Sequence, residues 1–156
     1  PRSVIASSPT LLTVSGVSGS VYPLSDVTFE APSLFLSTSM TTQGAEIQLI
    51  GEVEITGDSS FTTSGDTSNV GADLSFSAGV NAGATSSASL TIDLGSGGSL
   101  VLNDDVGAQF PLESFSLTQA ESAMIYGGRL GTSCVPVRQK HSCGRQRLIR
   151  VQRRSD

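Results

Sequence analysis

The chain is poor in charge, in aromatic side chains and in cysteine. Charged residues make up 15% of its 156 residues and aromatic residues 5%, and tryptophan is absent. Both cysteines, Cys134 and Cys143, lie near the C-terminal end, so a disulfide framework cannot organise the rest of the chain. No run of residues approaches the length of about 18 apolar positions that a membrane span needs, so we expect no membrane insertion.

Basic residues are almost missing from the first 128 positions. Arg2 is the only one there, against 13 of the 14 acidic residues, which gives this part a formal charge of −12. From Arg129 onward, eight basic residues stand against one acidic residue, a balance of +7. Nucleic-acid binding needs Lys and Arg contacts to phosphates, and anionic lipid headgroups repel an acidic surface. The composition therefore excludes nucleic acid and anionic membranes as partners of the main body.

The sequence does contain a short pattern that occurs three times at a nearly constant interval. Its first apolar position is occupied by Ile47, Leu74 and Leu100, and a valine follows six residues later in each copy, at Val53, Val80 and Val106. The interval of about 26 residues lies in the range that is typical of solenoids, whose units bury their apolar face only against their neighbours.

Short stretches with apolar residues at alternate positions separate the turn signals and predict strands near 27–29, 34–36, 46–49, 53–55, 61–63, 74–76, 89–92, 100–102 and 115–117. Equivalent strands recur with no helix between them, so the predicted fold is all-β, a parallel β-helix. A third column of apolar residues is predicted at Phe35, Phe61, Leu90 and Phe115, with an inserted loop at 81–87.

The chain divides into three parts. Residues 1–20 are predicted to form an incomplete N-terminal turn, and residues 21–126 the repeats, with Met124-Ile125-Tyr126 opening a last turn. Residues 127–156 form a basic tail that we expect to be poorly ordered or an artefact of a shifted reading frame. Because the sequence starts at Pro1 without an initiator Met, we expect it to be a fragment of a longer protein.

The segments 89–107 (SLTIDLGSGGSLVLNDDVG) and 111–118 (PLESFSLT) resemble the repeats of giant bacterial exoproteins, the filamentous-haemagglutinin-like adhesins. The resemblance covers about residues 34–120. It implies a right-handed β-helix, stacked on flanking repeats of the same chain, in a secreted or outer-surface protein involved in adhesion or cell contact. The chain departs from the pattern in its basic tail and in having no secretion domain, so the route of export is inferred.

Asp104-Asp105 is the only adjacent acidic pair, and some β-helical polysaccharide hydrolases use clustered aspartates as acid and base. Such enzymes, and polysaccharide lyases, also place basic residues or histidine at the site. Here the only histidine is His141, in the tail, and the body has no lysine. We therefore interpret the pair as part of a solvated turn.

The other candidate sites also favour structural interpretations. Asp58, Asp66, Asp73 and Asp93 adjoin Gly/Ser turns without a calcium-binding loop motif. Cys134, His141 and Cys143 supply three of the four ligands that a zinc site needs. The segment Gly95-Ser96-Gly97-Gly98 lacks the lysine of a phosphate-binding loop and is predicted to be a turn. We predict no catalytic residue, no metal ligand and no cofactor.

These observations favour a non-enzymatic structural or adhesive segment of a secreted or surface-exposed bacterial protein. Its partners would be glycans or proteins of a host or neighbouring cell, contacted chiefly through the loops 81–87 and 64–71. One alternative is a carbohydrate-active β-helical enzyme whose catalytic part is missing or lies at Asp104 and Asp105. Another is a β-sandwich stalk module, which predicts antiparallel hairpins.

Overall fold

The computed structural model describes residues 2–19, 24–64 and 70–132. Within these ranges the chain contains strands and no helix, and it forms a parallel β-solenoid of about five turns. The strands are β1 (Arg2–Ser7), β2 (Leu11–Ser18), β3 (Leu24–Thr41), β4 (Ile47–Ile55), β5 (Ser59–Thr62), β6 (Leu74–Phe76), β7 (Val80–Ala82), β8 (Ser89–Asp93), β9 (Ser99–Leu102), β10 (Ser114–Gln119) and β11 (Ser122–Ile125).

Every pairing between these strands is parallel, and the strand order is β10-β8-β5-β3-β4-β6-β9-β11, with β1 and β2 on β3 and β7 on β4. The long strand β3 shifts register between Glu30 and Ser33, so its first part pairs with β1 and the rest with β2. The antiparallel hairpins of the β-sandwich alternative are not found among the described strands, so that interpretation is wrong. The right-handed sense of the coil stays a prediction, in line with the usual hand of parallel crossovers.

The predicted stacking of the repeated positions is confirmed. Ile47 pairs with Leu74, and Leu74 pairs with Leu100. The valines also stack, Val53 on Val80 and Val80 on Val106. Both stacks continue into neighbouring turns, and we call them column A and column B. A third set of stacked positions, on another face of the coil, is column C. Column A contains Val4, Val27, Ile47, Leu74, Leu100 and Ala123, and column B contains Leu12, Leu34, Val53, Val80, Val106 and Leu130. Column C contains Gly16, Thr38, Ser59, Leu90 and Phe115.

The core fills the inside of the coil because alternate side chains of each strand point inward. Leu34 and Leu36 are fully buried, for example, while Phe35 between them is only half-buried. Phe61 and Phe76, from different faces of the coil, meet edge to face with their ring centroids 6.2 Å apart. Each buried aliphatic or aromatic side chain contributes about 1.5–3 kcal/mol relative to an exposed one. Stacked turns thus stabilise one another, as the repeat pattern predicted.

The prediction for the third column is only partly correct. Leu90 does pair with Phe115, but Phe61 pairs with Met40 and Ile92. Phe35 faces outward and pairs with Thr13 and Glu54. The correction follows from the period of two: the buried positions of this stretch are Leu34 and Leu36, so Phe35 must lie on the other side of the strand.

The inserted loop lies where the spacing placed it. Ser59 comes four positions after Ile55, whereas their pairing partners, Leu90 and Ala82, are eight positions apart. The extra residues form the turn at 83–87, after β7. At the other end, Leu130 bridges to Val106 and Thr132 to Leu112, so residues 127–132 continue the coil. Residues 133–156 of the predicted tail lie outside the described residues.

Candidate functional surfaces

The outward side chains of the coil form the surface available to a partner. Directly before column A, three consecutive turns present a carboxylate, from Asp26, Glu46 and Asp73, and we call these three residues the acidic column. Neighbouring strands of a sheet are about 4.8 Å apart, so these like charges lie close together along one side of the coil. Glu46 also accepts a hydrogen bond from the amide of Gln48 at 2.9 Å. The column repels anions and suits cationic partners.

The face that carries column C is covered by hydroxyl groups instead. Its outward positions, which are half-buried or exposed, are Ser39, Thr41, Ser60, Thr62, Thr91 and Ser116. The parallel register holds Ser39, Ser60, Thr91 and Ser116 in one row and Thr41 and Thr62 in the next. Such a face can donate and accept hydrogen bonds, and its charge comes from Asp93, which pairs with Thr62.

The Asp104-Asp105 pair forms part of a turn. The carboxylate of Asp104 accepts the N–H of Asp105 at 2.7 Å, and that of Asp105 accepts the N–H of Arg129 at 2.8 Å, one turn further along the chain. The backbone carbonyl of Asp105 accepts the N–H of Val80 from the preceding turn. Both aspartates therefore have local structural roles, and Arg129 approaches them through its backbone.

Two of the isolated aspartates connect adjacent turns in the same way. Asp58 accepts the N–H of Ser89 at 2.9 Å, and Asp73 accepts the N–H of Ser99 at 2.8 Å. Asp93 acts within its own turn and accepts the N–H of Gly95 at 3.1 Å. Each of these three carboxylates therefore has a structural hydrogen bond to the backbone. Asp66 lies outside the described residues.

Within the described ranges, no group of three or more His, Cys, Asp or Glu side chains could hold a metal ion. The Cys134, His141 and Cys143 set lies outside those ranges. The Gly95-Ser96-Gly97-Gly98 segment forms a tight turn in which Gly95 has a φ of 64°. A Cβ on Gly98 would lie 2.3 Å from the carbonyl oxygen of Ala72, so the backbone passes too close for any larger residue. Across the described residues no helix could cross a membrane.

One corner of the coil projects two loops side by side, residues 83–87 and 108–111, which we call the corner loops. Asn81 accepts the N–H of Gln109 through its side-chain oxygen at 3.0 Å, and Ala82 donates to the carbonyl of Phe110 at 2.9 Å. Thr85 at the tip of the first loop is exposed, and the Phe110 side chain in the second is 42% exposed. The two loops thus present an exposed aromatic ring and an exposed hydroxyl group.

The predicted loop 81–87 contributes only its 83–87 part to this surface, because residues 81 and 82 belong to β7. Of the other predicted loop, 64–71, residues 65–69 lie outside the described residues. The segment 108–111 was not singled out from the sequence, although Phe110-Pro111 is an aromatic residue directly before a turn-forming proline. That signal, following the Asp104-Asp105 turn, could have indicated it.

No family model matches the chain, and neither the curated proteins nor the solved structures gave a match.

Proposed function

We propose that this chain is a non-enzymatic structural and adhesive segment of a large secreted or surface-exposed bacterial protein. The observation that carries the proposal is the stacked parallel coil, in which the buried columns hold successive turns in register while the outward positions stay available. A coil of this kind extends by adding turns and presents long lateral surfaces, as a stalk or fibre requires. The resemblance of residues 34–120 to filamentous-haemagglutinin-like repeats supports the same role.

In this proposal the corner loops make the contact. Aromatic rings supply much of the binding energy at many interfaces, and Phe110 is exposed on one corner loop while Thr85 and Ser87 are exposed on the other. Hydroxyl groups and an aromatic face together suit a glycan or a glycoprotein of a host or neighbouring cell. The acidic column disfavours anionic glycans and nucleic acid, so the expected ligands are neutral or cationic.

The test is binding of the labelled full chain to a glycan array and to intact cells, compared with two single variants. Phe110→Ala should weaken binding about tenfold, which corresponds to about 1.4 kcal/mol. Tyr126→Ala is the matched control, because Tyr126 is 47% exposed but lies after β11, away from the corner loops. The absence of binding by the unaltered chain, or equal losses in both variants, would contradict the proposed contact.

The enzymatic alternative makes a separate prediction. If Asp104 and Asp105 were an acid and base pair, incubation with pectic or other uronic-acid polymers would release reducing ends or unsaturated products. We expect no release, because each carboxylate of the pair accepts a backbone N–H and Asp105 links two turns. Product formation that disappears in Asp104→Asn would overturn the non-enzymatic proposal.

A further inference from the structure

One face of the coil begins and ends in a strand edge without a partner strand. Among the described strands, β1 pairs only with β3, and β11 pairs only with β9. An edge strand presents backbone N–H and C=O groups with which another chain can pair, and native proteins usually protect such edges with charges, proline or bulges. β11 contains neither a charged residue nor proline, and β1 contains only the charge of Arg2. Each edge can therefore accept a further parallel strand.

The outward side chains of this face change in character toward its two ends. One outward row runs through all six strands of the face and consists of Ile5, Thr28, Gln48, Ser75, Val101 and Met124. The members in the middle are polar. Ile5 at the first strand is apolar and 77% exposed, and Met124 at the last strand is apolar and half-buried. Apolar residues at both ends of an otherwise polar row are expected where the two ends contact each other.

The inward side chains of the two edge strands are complementary in size. In the four inner strands of this face both inward positions hold Val, Ile, Leu or Phe. β1 instead has Val4 and then Ala6, while β11 has Ala123 and then Ile125. If column A continues from one copy into the next, Val4 lies on Ala123. Ala6 then lies on Ile125, so the larger residue meets the smaller one in both pairs, as interdigitating layers require.

The charges at the two edges fit the same register. With Val4 on Ala123, Arg2 lies opposite Glu121, since each comes two positions earlier in its strand direction. Arg2 is the only basic residue before Arg129, and both Arg2 and Glu121 are exposed. The register shift beside Arg2 adds its extra residue to β3, so the outer edge of β1 is regular. The only positive charge at the first strand thus meets a carboxylate.

We propose that copies of this chain associate head to tail, with β1 of one copy added as a parallel strand to β11 of the next. The contact places Ile5 on Met124 in the outward row, and in column B it places Leu12 on Leu130, which is 48% exposed. Two different surfaces take part, so the same contact repeats and forms an open filament along the coil axis. This assembly goes beyond the adhesive role and does not depend on it.

Disulfide cross-linking between single-cysteine variants tests the register. Ile5→Cys and Met124→Cys are prepared separately in a Cys134→Ser/Cys143→Ser background of the full chain and are mixed under mild oxidation. Adjacent parallel strands place facing Cα atoms about 4.8 Å apart, within the range that a disulfide spans. The mixture should give a linked dimer in clear excess over either variant alone. Ser75→Cys, from the middle of the same row, replaces Met124→Cys as the control and should give no excess. Equal yields in both mixtures, or as much dimer from Ile5→Cys alone, would overturn the proposal.

Sedimentation velocity measures the association without cysteine chemistry. The mean sedimentation coefficient of the unaltered chain should rise with concentration. Ile5→Asp should weaken association roughly tenfold, because it places an unpaired charge in an apolar contact. Ser75→Asp introduces the same charge in the same row away from the ends and should leave association unchanged. A monomer at every concentration, or equal losses in the two variants, would contradict head-to-tail contact.

Charge reversal tests which residues face each other. Arg2→Glu and Glu121→Arg should each weaken association at low salt, because each variant brings two like charges together. Both changes in one chain should restore association, since every contact then again pairs opposite charges. If the double variant associates no better than the single variants, Arg2 does not face Glu121, and the proposed register is wrong.

Discussion

The carboxylate of Asp73 accepts a hydrogen bond from the backbone N–H of Ser99, 2.8 Å away and one full turn further along the chain. Asp58 with Ser89 and Asp105 with Arg129 repeat this relationship at other corners. Turn corners are where a ladder loses its regular partners, so a carboxylate that accepts the first N–H of the next strand substitutes for a missing carbonyl. Acidic residues thus stabilise this coil from turn to turn although their charges repel one another.

Asp73→Ala should therefore lower the free energy of unfolding by about 1–2 kcal/mol, because the N–H of Ser99 loses a charged acceptor. Asp73→Asn, which keeps an oxygen acceptor, should cost less. The control is Glu46→Ala in the same acidic column, whose carboxylate is bonded to the Gln48 side chain rather than to another turn. Urea unfolding followed by circular dichroism measures all three. Unchanged or increased stability in Asp73→Ala would mean that relief of charge repulsion outweighs the lost hydrogen bond.

A glycine inside β4, between its column A and column B positions, makes the second prediction. Gly51 has a φ of 129°, and a Cβ there would lie 1.7 Å from the carbonyl oxygen of Ala31 in the preceding turn. Backbone strain at such a residue costs about 1–3 kcal/mol by itself. Gly51→Ala should lower the free energy of unfolding by more than this amount, because the backbone clash adds to the strain. Gly128→Ala is the control, because a Cβ on Gly128 meets nothing within 4 Å. Thermal melts that shift equally in both variants would contradict this account.

The outcome for particular residues explains how far sequence reasoning reaches. Ile47, Leu74 and Leu100 could be aligned because the two turns between them have nearly equal length, and their strands contain the same apolar alternation. The earlier turn, from Val27 to its partner Ile47, is clearly shorter, so a fixed period cannot align it. Which face Phe35 occupies was also not evident, since it lies between two other large apolar residues.

The roles of the aspartates could not be predicted for a related reason. Whether Asp73 reaches the N–H of Ser99 depends on the turn length between them and on the backbone direction at the corner, neither of which composition encodes. Likewise, the contact between Asn81 and Gln109 that joins the corner loops links positions far apart in sequence, across an inserted loop. The sequence therefore predicts which inward positions stack on one another. It does not predict which surface residues meet unless the register between neighbouring strands is already known.

A buried threonine makes the third prediction. The hydroxyl of Thr63 donates to the carbonyl of Ala72 at 2.7 Å and accepts the N–H of Ala72 at 3.0 Å, and the side chain is fully buried. Thr63→Val keeps the shape but leaves both backbone groups of Ala72 without that partner, so it should cost about 1–3 kcal/mol. Thr62→Val, at the adjacent outward position, should change stability by less than about 0.5 kcal/mol. Equal effects in urea unfolding would show that the Thr63 bonds are replaced by water.

The last prediction concerns how stability varies along the coil. Leu49 is fully buried and stacks between Phe29 and Phe76, whereas Leu12 lies in the first turn and is only half-buried. Leu49→Ala should lower the free energy of unfolding by about 2–5 kcal/mol, as a cavity in a packed core does, and Leu12→Ala by clearly less.

Amide hydrogen exchange should also accelerate differently in the two variants, because each turn contacts only its neighbours. Leu12→Ala should affect β1 and β2 and leave β6 and β9 protected, while Leu49→Ala should expose turns on both sides. A uniform acceleration across all strands in the Leu12 variant would show that the coil unfolds as one cooperative unit, and that its turns do not separate as nearest-neighbour stacking implies.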